Sequence, residues 1–200
     1  MRLFVAVEIA PQVAAQVAAC TDELRRRSAG VARARITWVP AERLHVTVRF
    51  IGEVGAAAAE AVGKALAPGV PVRPFEMDLA GVGTFPERGT PRVVWAGVGR
   101  GVEALTAIER DVSARLKRCG MAPEARPYHP HVTLGRVREA GGLQPASWLE
   151  GLTDRPFGAS PVDAITLFES RPSPRGHVYV ALQRTPLAGG QTPVTSRSGV

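Results

Sequence analysis

Two short segments of the chain contain the same tripeptide, His-Val-Thr. The first is His45 to Thr47, within RLHVTVRF, and the second is His131 to Thr133, within YHPHVTLGR. The chain has 4 histidines in all, so two of them share one pattern. Each tripeptide lies in an alternating, β-branched run that predicts a strand. Residues i and i+2 of a strand point to one face, about 6.6 to 6.8 Å apart, so each motif presents an imidazole beside a hydroxyl.

Two such pairs across a cleft have the chemistry of a phosphodiester hydrolase. Histidine can act as a neutral base in one copy and as a protonated acid in the other near neutral pH. One imidazole would take a proton from water, the other would protonate the leaving oxygen, and the hydroxyls would hold non-bridging oxygens. A lone His-x-Thr is usually an inert, half-buried histidine, but a matched pair favours catalysis. No Asp, Glu or Cys stands at ligand spacing, so neither a metal nor another cofactor is expected.

The predicted elements repeat in coarse form. A strand at 3–9, a helix at 11–30 and the first His-Val-Thr strand are echoed by a strand at 92–98, a helix at 101–120 and the second His-Val-Thr strand. Further helices are predicted at 56–66 and 145–152, and further strands at 74–85, 163–170 and 177–184. The repeat predicts two similar lobes related by an approximate two-fold, which would set the two histidines facing each other across a cleft.

Length and composition indicate a globular protein. The 200 residues are 45% hydrophobic, which suits one domain or a two-lobed one. The N-terminal run MRLFVAVEIA predicts a strand rather than a signal peptide, and no segment approaches the eighteen or so apolar residues of a membrane span. Cys20 and Cys119 stand alone, so a reduced, cytoplasmic protein is expected. We predict a single bilobal domain at 1–187 and a flexible tail at 188–200.

The charge balance leaves two interpretations open. The formal net charge is +7 and the sequence pI is about 10.6, which suits a polyanionic partner such as RNA. The excess cations are almost all arginine, in a chain also rich in Ala, Gly, Pro and Val. Such a skew can arise from codon composition, and a charged face is often only a solvated one.

The paired motifs and their surroundings resemble the 2H phosphoesterase superfamily, and within it the LigT-like RNA 2′,3′-cyclic phosphodiesterases, also described as 2′-5′ RNA ligases. The likeness covers roughly residues 1 to 185 and includes RLFVAVEI, WVPAERLHVTVRFIGEV, GTFPERGTPRVVWAGV, RPYHPHVTLGR and ESRPSPRGHVYVAL. The resemblance implies an α+β fold with two lobes, in which two antiparallel sheets flanked by helices enclose a central cleft.

Roles for individual residues also follow from the resemblance. His45 would donate a proton to the leaving 3′ oxygen, and His131 would activate water to give a 2′-phosphomonoester. Thr47 and Thr133 would bind the phosphate. Arg136 matches the family's arginine five residues after the second histidine. On an ideal strand Arg136 would face away from His131, so Gly135 would have to bulge or twist the strand to bring it round.

Other candidates come from the residues themselves. Arg49 shares strand parity with His45 and Thr47 and is therefore a candidate ligand of the phosphate or the RNA backbone. Tyr128 and Phe50 could stack on an unpaired base, although core packing is the expected role of Phe50. His129 is expected near the surface or behind the site, and His177 in an ordinary strand position.

The sequence therefore predicts a metal-independent hydrolase of RNA 2′,3′-cyclic phosphate ends, tRNA fragments among them, that acts as a monomer away from membranes. The alternatives within enzymes are 2′-5′ RNA ligation and hydrolysis of small cyclic nucleotides. A non-catalytic RNA-end-binding module that keeps the fold is the alternative from another class.

Overall fold

The computed structural model describes residues 1–31, 33–174 and 176–189. Strands and helices follow in the order β1 (Arg2–Glu8), α1 (Pro11–Ala29), β2 (Arg35–Trp38), β3 (His45–Glu53), α2 (Ala56–Leu66), β4 (Phe75–Phe85), β5 (Val93–Val98), α3 (Val102–Arg118), β6 (His131–Glu139), α4 (Pro145–Trp148), β7 (Pro156–Val162), β8 (Ala164–Ser173) and β9 (Gly176–Pro186). The sequence correctly predicts most of these elements, but β2 and β7 were missed because neither has a clean apolar alternation.

The strands form an antiparallel sheet in the order β7-β4-β5-β6-β3-β1-β8-β9, with β2 paired to β6. This order has two equivalent halves. In the first half the order runs outward from β3 to β1, β8 and β9, and in the second it runs outward from β6 to β5, β4 and β7. The halves join where Val46 of β3 pairs with Val132 of β6. The two sheets expected from the sequence are thus the halves of one hydrogen-bonded path.

The long helices pack across the two halves. Helix α1 follows β1 of the first half but contacts β7 of the second, where the amide of Ala10 donates to Ser160 Oγ at 2.8 Å. Helix α3 follows β5 of the second half but contacts β3 of the first. Both helices bury an apolar stripe at helical spacing, formed in α1 by Val13, Val17, Cys20 and Leu24 and in α3 by Leu105, Ile108, Val112 and Leu116. One hydrophobic core therefore runs through both halves.

Within the described residues, no helix is long and apolar enough to cross a bilayer. The predicted tail at 188–200 lies outside the described residues from position 190 onward. Ala188 and Gly189 are described, and their amides donate to the carbonyl oxygens of Val70 and Val72 at 2.8 and 3.0 Å. The predicted single domain at 1–187 stays a prediction.

Candidate active site at the junction of the two halves

His45 and His131 are the first residues of β3 and β6, the two central strands of the sheet. Both strands have the same burial pattern over their first seven residues, with the histidine and threonine half-buried and the intervening valine fully buried. The valines point into the core, so the imidazole and hydroxyl of each motif share the opposite face. The predicted pairing of His with Thr on one side of each strand is present.

The register between the two strands sets the motifs against each other. Because Val46 pairs with Val132 in antiparallel fashion, His45 is opposite Thr133 and Thr47 is opposite His131. In an ideal antiparallel pair, diagonal neighbours lie about 7 to 8 Å apart. The two histidines occupy one diagonal of this four-cornered arrangement and the two threonines the other. A group the size of a phosphate placed at its centre would face all four side chains.

Backbone carbonyls fix the tautomer of both imidazoles. His45 Nδ1–H donates to the carbonyl oxygen of Arg43 at 2.8 Å, and His131 Nδ1–H donates to that of His129 at 2.7 Å. A carbonyl oxygen can only accept, so the proton must reside on Nδ1. Each Nε2 is then left to gain or lose a proton. His45 Nε2 lies 3.0 Å from Thr47 Oγ1, which donates to it when the ring is neutral and accepts from it when the ring is charged.

Aromatic rings hold the two imidazoles in place. The ring of His45 lies 5.0 Å from that of Phe4 and meets Tyr179 edge-on at 5.4 Å, measured between centroids. The ring of His131 meets Phe85 edge-on at 5.2 Å, and Phe85 packs on Trp95. Sequence reasoning missed these aromatics, because they belong to other strands and only the sheet order brings them to the motifs.

Burial lowers the pKa of both histidines. For His45 and His131 alike, loss of hydration disfavours the charged ring, and the carbonyl acceptor at Nδ1 opposes this only in part. The positive charge of His131 lowers the pKa of His45 further, and the guanidinium of Arg136 does the same for His131. In the free protein both rings are therefore biased toward the neutral form, and a bound anion is what would favour a proton on one of them.

Matching β-bulges interrupt the two central strands just after the motifs. Along β3 the pairing with β1 shifts so that Val48 is the extra residue, and along β6 the pairing with β5 shifts so that Leu134 is the extra residue. An extra residue reverses the face to which the later side chains of its strand point. Arg136 therefore comes round to the face of His131 and is exposed. A bulge was expected at Gly135, and the structure has it at the preceding residue, Leu134.

The equivalent bulge in β3 turns Arg49 away from the site. Its side chain is only 5% exposed, and its guanidinium donates to the carbonyl oxygen of Ala122 and lies 3.5 Å from a carboxylate oxygen of Glu124. The parity argument for Arg49 assumed an ideal strand and is wrong here. Arg49 instead links β3 to the segment that leads into the second motif, and we do not assign it to the phosphate.

The two aromatic candidates for base stacking, Phe50 and Tyr128, differ from expectation in their exposure. Phe50, expected in the core, is 54% exposed because the bulge at Val48 brings it to the cleft face. Tyr128 packs against the core, and burial, helped by the charge of Glu109, raises the pKa of its phenol. Its hydroxyl is buried without a hydrogen-bond partner among the described residues. Phe50 is thus the better placed of the two rings for stacking.

The remaining histidines lie outside the four-cornered arrangement. His129 is exposed, and it serves His131 through its backbone carbonyl rather than its ring. The ring of His177 is exposed and lies 3.0 Å from Ser170 Oγ. Within the described part of the chain, no group of three or more His, Cys, Asp or Glu side chains is placed to hold a metal ion.

The family model of the 2′-5′ RNA ligase superfamily matches residues 5–173, a span that includes both motifs. The chain belongs to this superfamily. Among curated relatives, the RNA 2′,3′-cyclic phosphodiesterase of Aeropyrum pernix is 39% identical over 143 residues, which cover 70% of this chain and 80% of the relative. The enzyme of the same name from Archaeoglobus fulgidus is 33% identical over 183 residues, covering 92% of this chain and 98% of the relative.

Two solved structures share the fold of this chain. A Thermus thermophilus protein superposes with a TM-score of 0.73 at 29% identity and covers 96% of this chain and 100% of its own. Escherichia coli LigT complexed with 3′-AMP gives a TM-score of 0.70 at 25% identity, covering 93% of this chain and 97% of its own. The bilobal fold expected from the sequence is confirmed.

Proposed function

We propose that His45 and His131 hydrolyse the 2′,3′-cyclic phosphate at the end of an RNA. The prediction of an RNA 2′,3′-cyclic phosphodiesterase is confirmed at the level of the enzyme class by the curated relatives of that name. The assignment to these residues rests on one observation above all. Two imidazoles with the same fixed tautomer lie diagonally across two threonine hydroxyls, at the junction of equivalent sheet halves.

The reaction needs one proton to enter and one to leave. His131 Nε2 takes a proton from water, and the water oxygen attacks phosphorus in line with the 3′ oxygen. The bond from phosphorus to the 3′ oxygen breaks, and His45 Nε2–H protonates that oxygen. The products are a 2′-phosphomonoester and a free 3′-hydroxyl. After product release His131 gives its proton to solvent, and His45 takes up a proton again when the next anionic substrate binds.

One local charge favours His131 as the base. Burial lowers the pKa of both histidines, and Arg136 lowers that of His131 further, which favours the neutral ring that a base requires. The negative charge of a bound phosphodiester favours the protonated form of a histidine within about 4 to 6 Å, which an acid requires. The hydroxyls of Thr47 and Thr133 and the guanidinium of Arg136 are the groups that would hold the non-bridging oxygens as charge develops on them.

The terminal nucleoside has a complementary surface beside His45. The leaving 3′ oxygen must be near His45, so the ribose and its base lie on the first half of the cleft. Phe50 offers an exposed ring there, with its centroid 6.3 Å from that of Phe4. Base stacking on an aromatic ring is tolerant of base identity, so we assign Phe50 to the terminal base.

The direct test uses a short RNA ending in a 2′,3′-cyclic phosphate, incubated with protein and excess EDTA and followed by phosphorus NMR. We expect conversion to a 2′-phosphomonoester by the wild type, loss of conversion in His45→Ala and in His131→Ala, and full activity in the control His177→Ala. Conversion that survives in either motif variant, or that chelator abolishes, would contradict the proposed mechanism.

The finer predictions stand as proposals. The chain acts as a cytoplasmic monomer, and tRNA fragments are among its substrates. Ligation through 2′-5′ linkages uses the same two histidines in reverse, by microscopic reversibility. All four motif residues are intact, which favours an enzyme over a non-catalytic RNA-end-binding module.

A further inference from the structure

The end of the β8–β9 hairpin projects beyond the neighbouring strand β1. Strand β8 pairs with β1 only as far as Glu169, but it pairs with β9 as far as Ser173. We call residues 170–174 and 176–179 the hairpin end. It nevertheless reaches the first motif, because Arg43 Nη1 donates a hydrogen bond to the carbonyl oxygen of His177 at 2.5 Å. The hairpin end must therefore curl toward His45.

Arg43 contacts the surroundings of His45 through two separate groups. Its backbone carbonyl accepts from His45 Nδ1–H at 2.8 Å. Its guanidinium holds the hairpin end, where the ring of Tyr179 meets that of His45 edge-on at 5.4 Å between centroids. Tyr179 also meets Phe4 edge-on at 4.9 Å, and Phe4 lies 5.0 Å from His45. The imidazole is thus packed against one ring from β1 and one ring that the hairpin end supplies.

The backbone at this contact is suited to a close approach. Gly176 has a φ of 106°, in the left-handed region that favours glycine. A Cβ at this position would lie 3.3 Å from Arg43 Nη1, so the missing side chain leaves room for the guanidinium. The acceptor is a backbone carbonyl, so the side chain of His177 takes no part in the contact.

The second motif is built differently at the equivalent position. The residue two positions before His131 is His129, whose carbonyl accepts from His131 Nδ1–H as that of Arg43 does from His45. The side chain of His129 is exposed, and the ring that meets His131 edge-on is Phe85 of β4. This difference suits the two roles. An acid must aim its proton at one oxygen fixed in the substrate, whereas a base takes a proton from a water that is free to move.

We propose that Arg43 is a positioning residue for the general acid, because by holding the hairpin end it keeps Tyr179 against His45. The ring is then confined in the orientation that directs Nε2–H at the leaving 3′ oxygen. The proposal rests on the proposed function of the same site. Misplacement of a reacting group by about 1 Å can cost on the order of 100-fold in rate, so a loosened ring would be visible in the chemical step.

A leaving group that needs no proton separates positioning from support of the fold. The two substrates are a short RNA ending in a 2′,3′-cyclic phosphate and the same RNA with sulfur in place of the bridging 3′ oxygen. A thiolate is a far weaker base than an alkoxide and leaves without being protonated. For Arg43→Met we expect kcat on the oxygen substrate to fall about 10- to 100-fold with KM unchanged. On the sulfur substrate kcat should stay at the wild-type value.

Replacing Tyr179 tests the route through the hairpin end. Tyr179→Ala should show the same loss on the oxygen substrate and none on the sulfur substrate. Tyr179→Phe should keep full activity, because it retains the ring that packs on His45. The matched control is Arg27→Met, which removes a guanidinium that donates to the backbone carbonyls of Trp148 and Glu150 at 2.9 Å each. It should leave both substrates unaffected.

The outcomes that overturn the proposal are distinct from failure of the proposed function. An equal loss on both substrates in Arg43→Met, a raised KM with unchanged kcat, or full activity of Tyr179→Ala would overturn the positioning role alone. His45→Ala on the same two substrates tests the acid itself, and sulfur should restore most of its activity. If sulfur restores nothing in His45→Ala, or if the wild type hydrolyses neither substrate, the proposed function fails and this proposal fails with it.

Discussion

Val46 lies directly opposite Val132, and this pairing is the structural origin of the site. The valines are fully buried and carry no chemistry. Their antiparallel register nevertheless determines that His45 is opposite Thr133 and that Thr47 is opposite His131. A slip of one residue between β3 and β6 would turn one motif to the other face of the sheet. The apolar core thus fixes the geometry in which the two imidazoles act.

The two histidines should behave as one catalytic unit. We expect His45→Ala and His131→Ala each to lower kcat about 10² to 10⁴-fold, the usual contribution of a positioned acid or base. The double variant should lose little more than either single variant, because the remaining histidine has no partner step to assist. Single-turnover rates on the cyclic-phosphate RNA measure this, and losses that multiply in the double variant would show that the histidines act independently.

Activity and stability should both report the lowered histidine pKa values. Hydrolysis needs one neutral and one charged ring, so the pH optimum of kcat/KM should lie below about 6.5, the ordinary pKa of histidine.

Since the pKa of each histidine is lower in the folded protein than in the unfolded chain, the unfolded chain binds more protons in that pH range. The stability gained from the neutral rings is therefore complete above about pH 6.5 and is lost as the pH falls through the folded values.

Replacing Arg136 separates its two effects. In Arg136→Gln the pKa of His131 should rise, because a nearby positive charge is removed. The affinity for the cyclic phosphate should fall as well. Histidine titration by NMR measures the first effect and KM the second. An unchanged titration of His131 would show that Arg136 acts on the substrate alone.

Arg49 should matter for stability rather than for phosphate binding. We expect Arg49→Met to lower the free energy of unfolding by about 1 to 3 kcal/mol, because the carbonyl of Ala122 loses its charged donor. Glu124→Gln is the matched control and should cost under about 1 kcal/mol, since Glu124 is 45% exposed. Denaturant titration gives both values. Equal costs in the two variants would mean that the ion pair, and not the carbonyl contact, is what matters.

Phe50 should contribute to binding without supporting the fold. Its ring is more than half exposed, so Phe50→Ala should change the free energy of unfolding by no more than about 0.5 kcal/mol. Loss of base stacking should weaken substrate binding by about 1 to 3 kcal/mol. KM for the cyclic-phosphate RNA measures the effect, with Phe50→Trp expected to retain it. An unaffected KM in Phe50→Ala would remove Phe50 from the site.

The sequence was sufficient for the parts of the site that depend on local pattern. The His-x-Thr pairs, their strands and the repeat of strand, helix and strand are all visible in residue order. The faces to which Arg49 and Phe50 point could not be predicted from residue order. The alternation of faces along β3 reverses at Val48, and nothing in the residue types marks that bulge. The packing of Phe4 and Tyr179 on His45 was also out of reach, since it depends on which strands become neighbours.

The crossed packing of α1 and α3 has a consequence for motion. Each helix follows a strand of one half in sequence and packs on a strand of the other half. The two halves are therefore tied together by both helices. Turning one half away from the other would require breaking both helix interfaces and the core they share. We therefore expect a preformed cleft that selects RNA ends by their shape, without a hinge that closes over them.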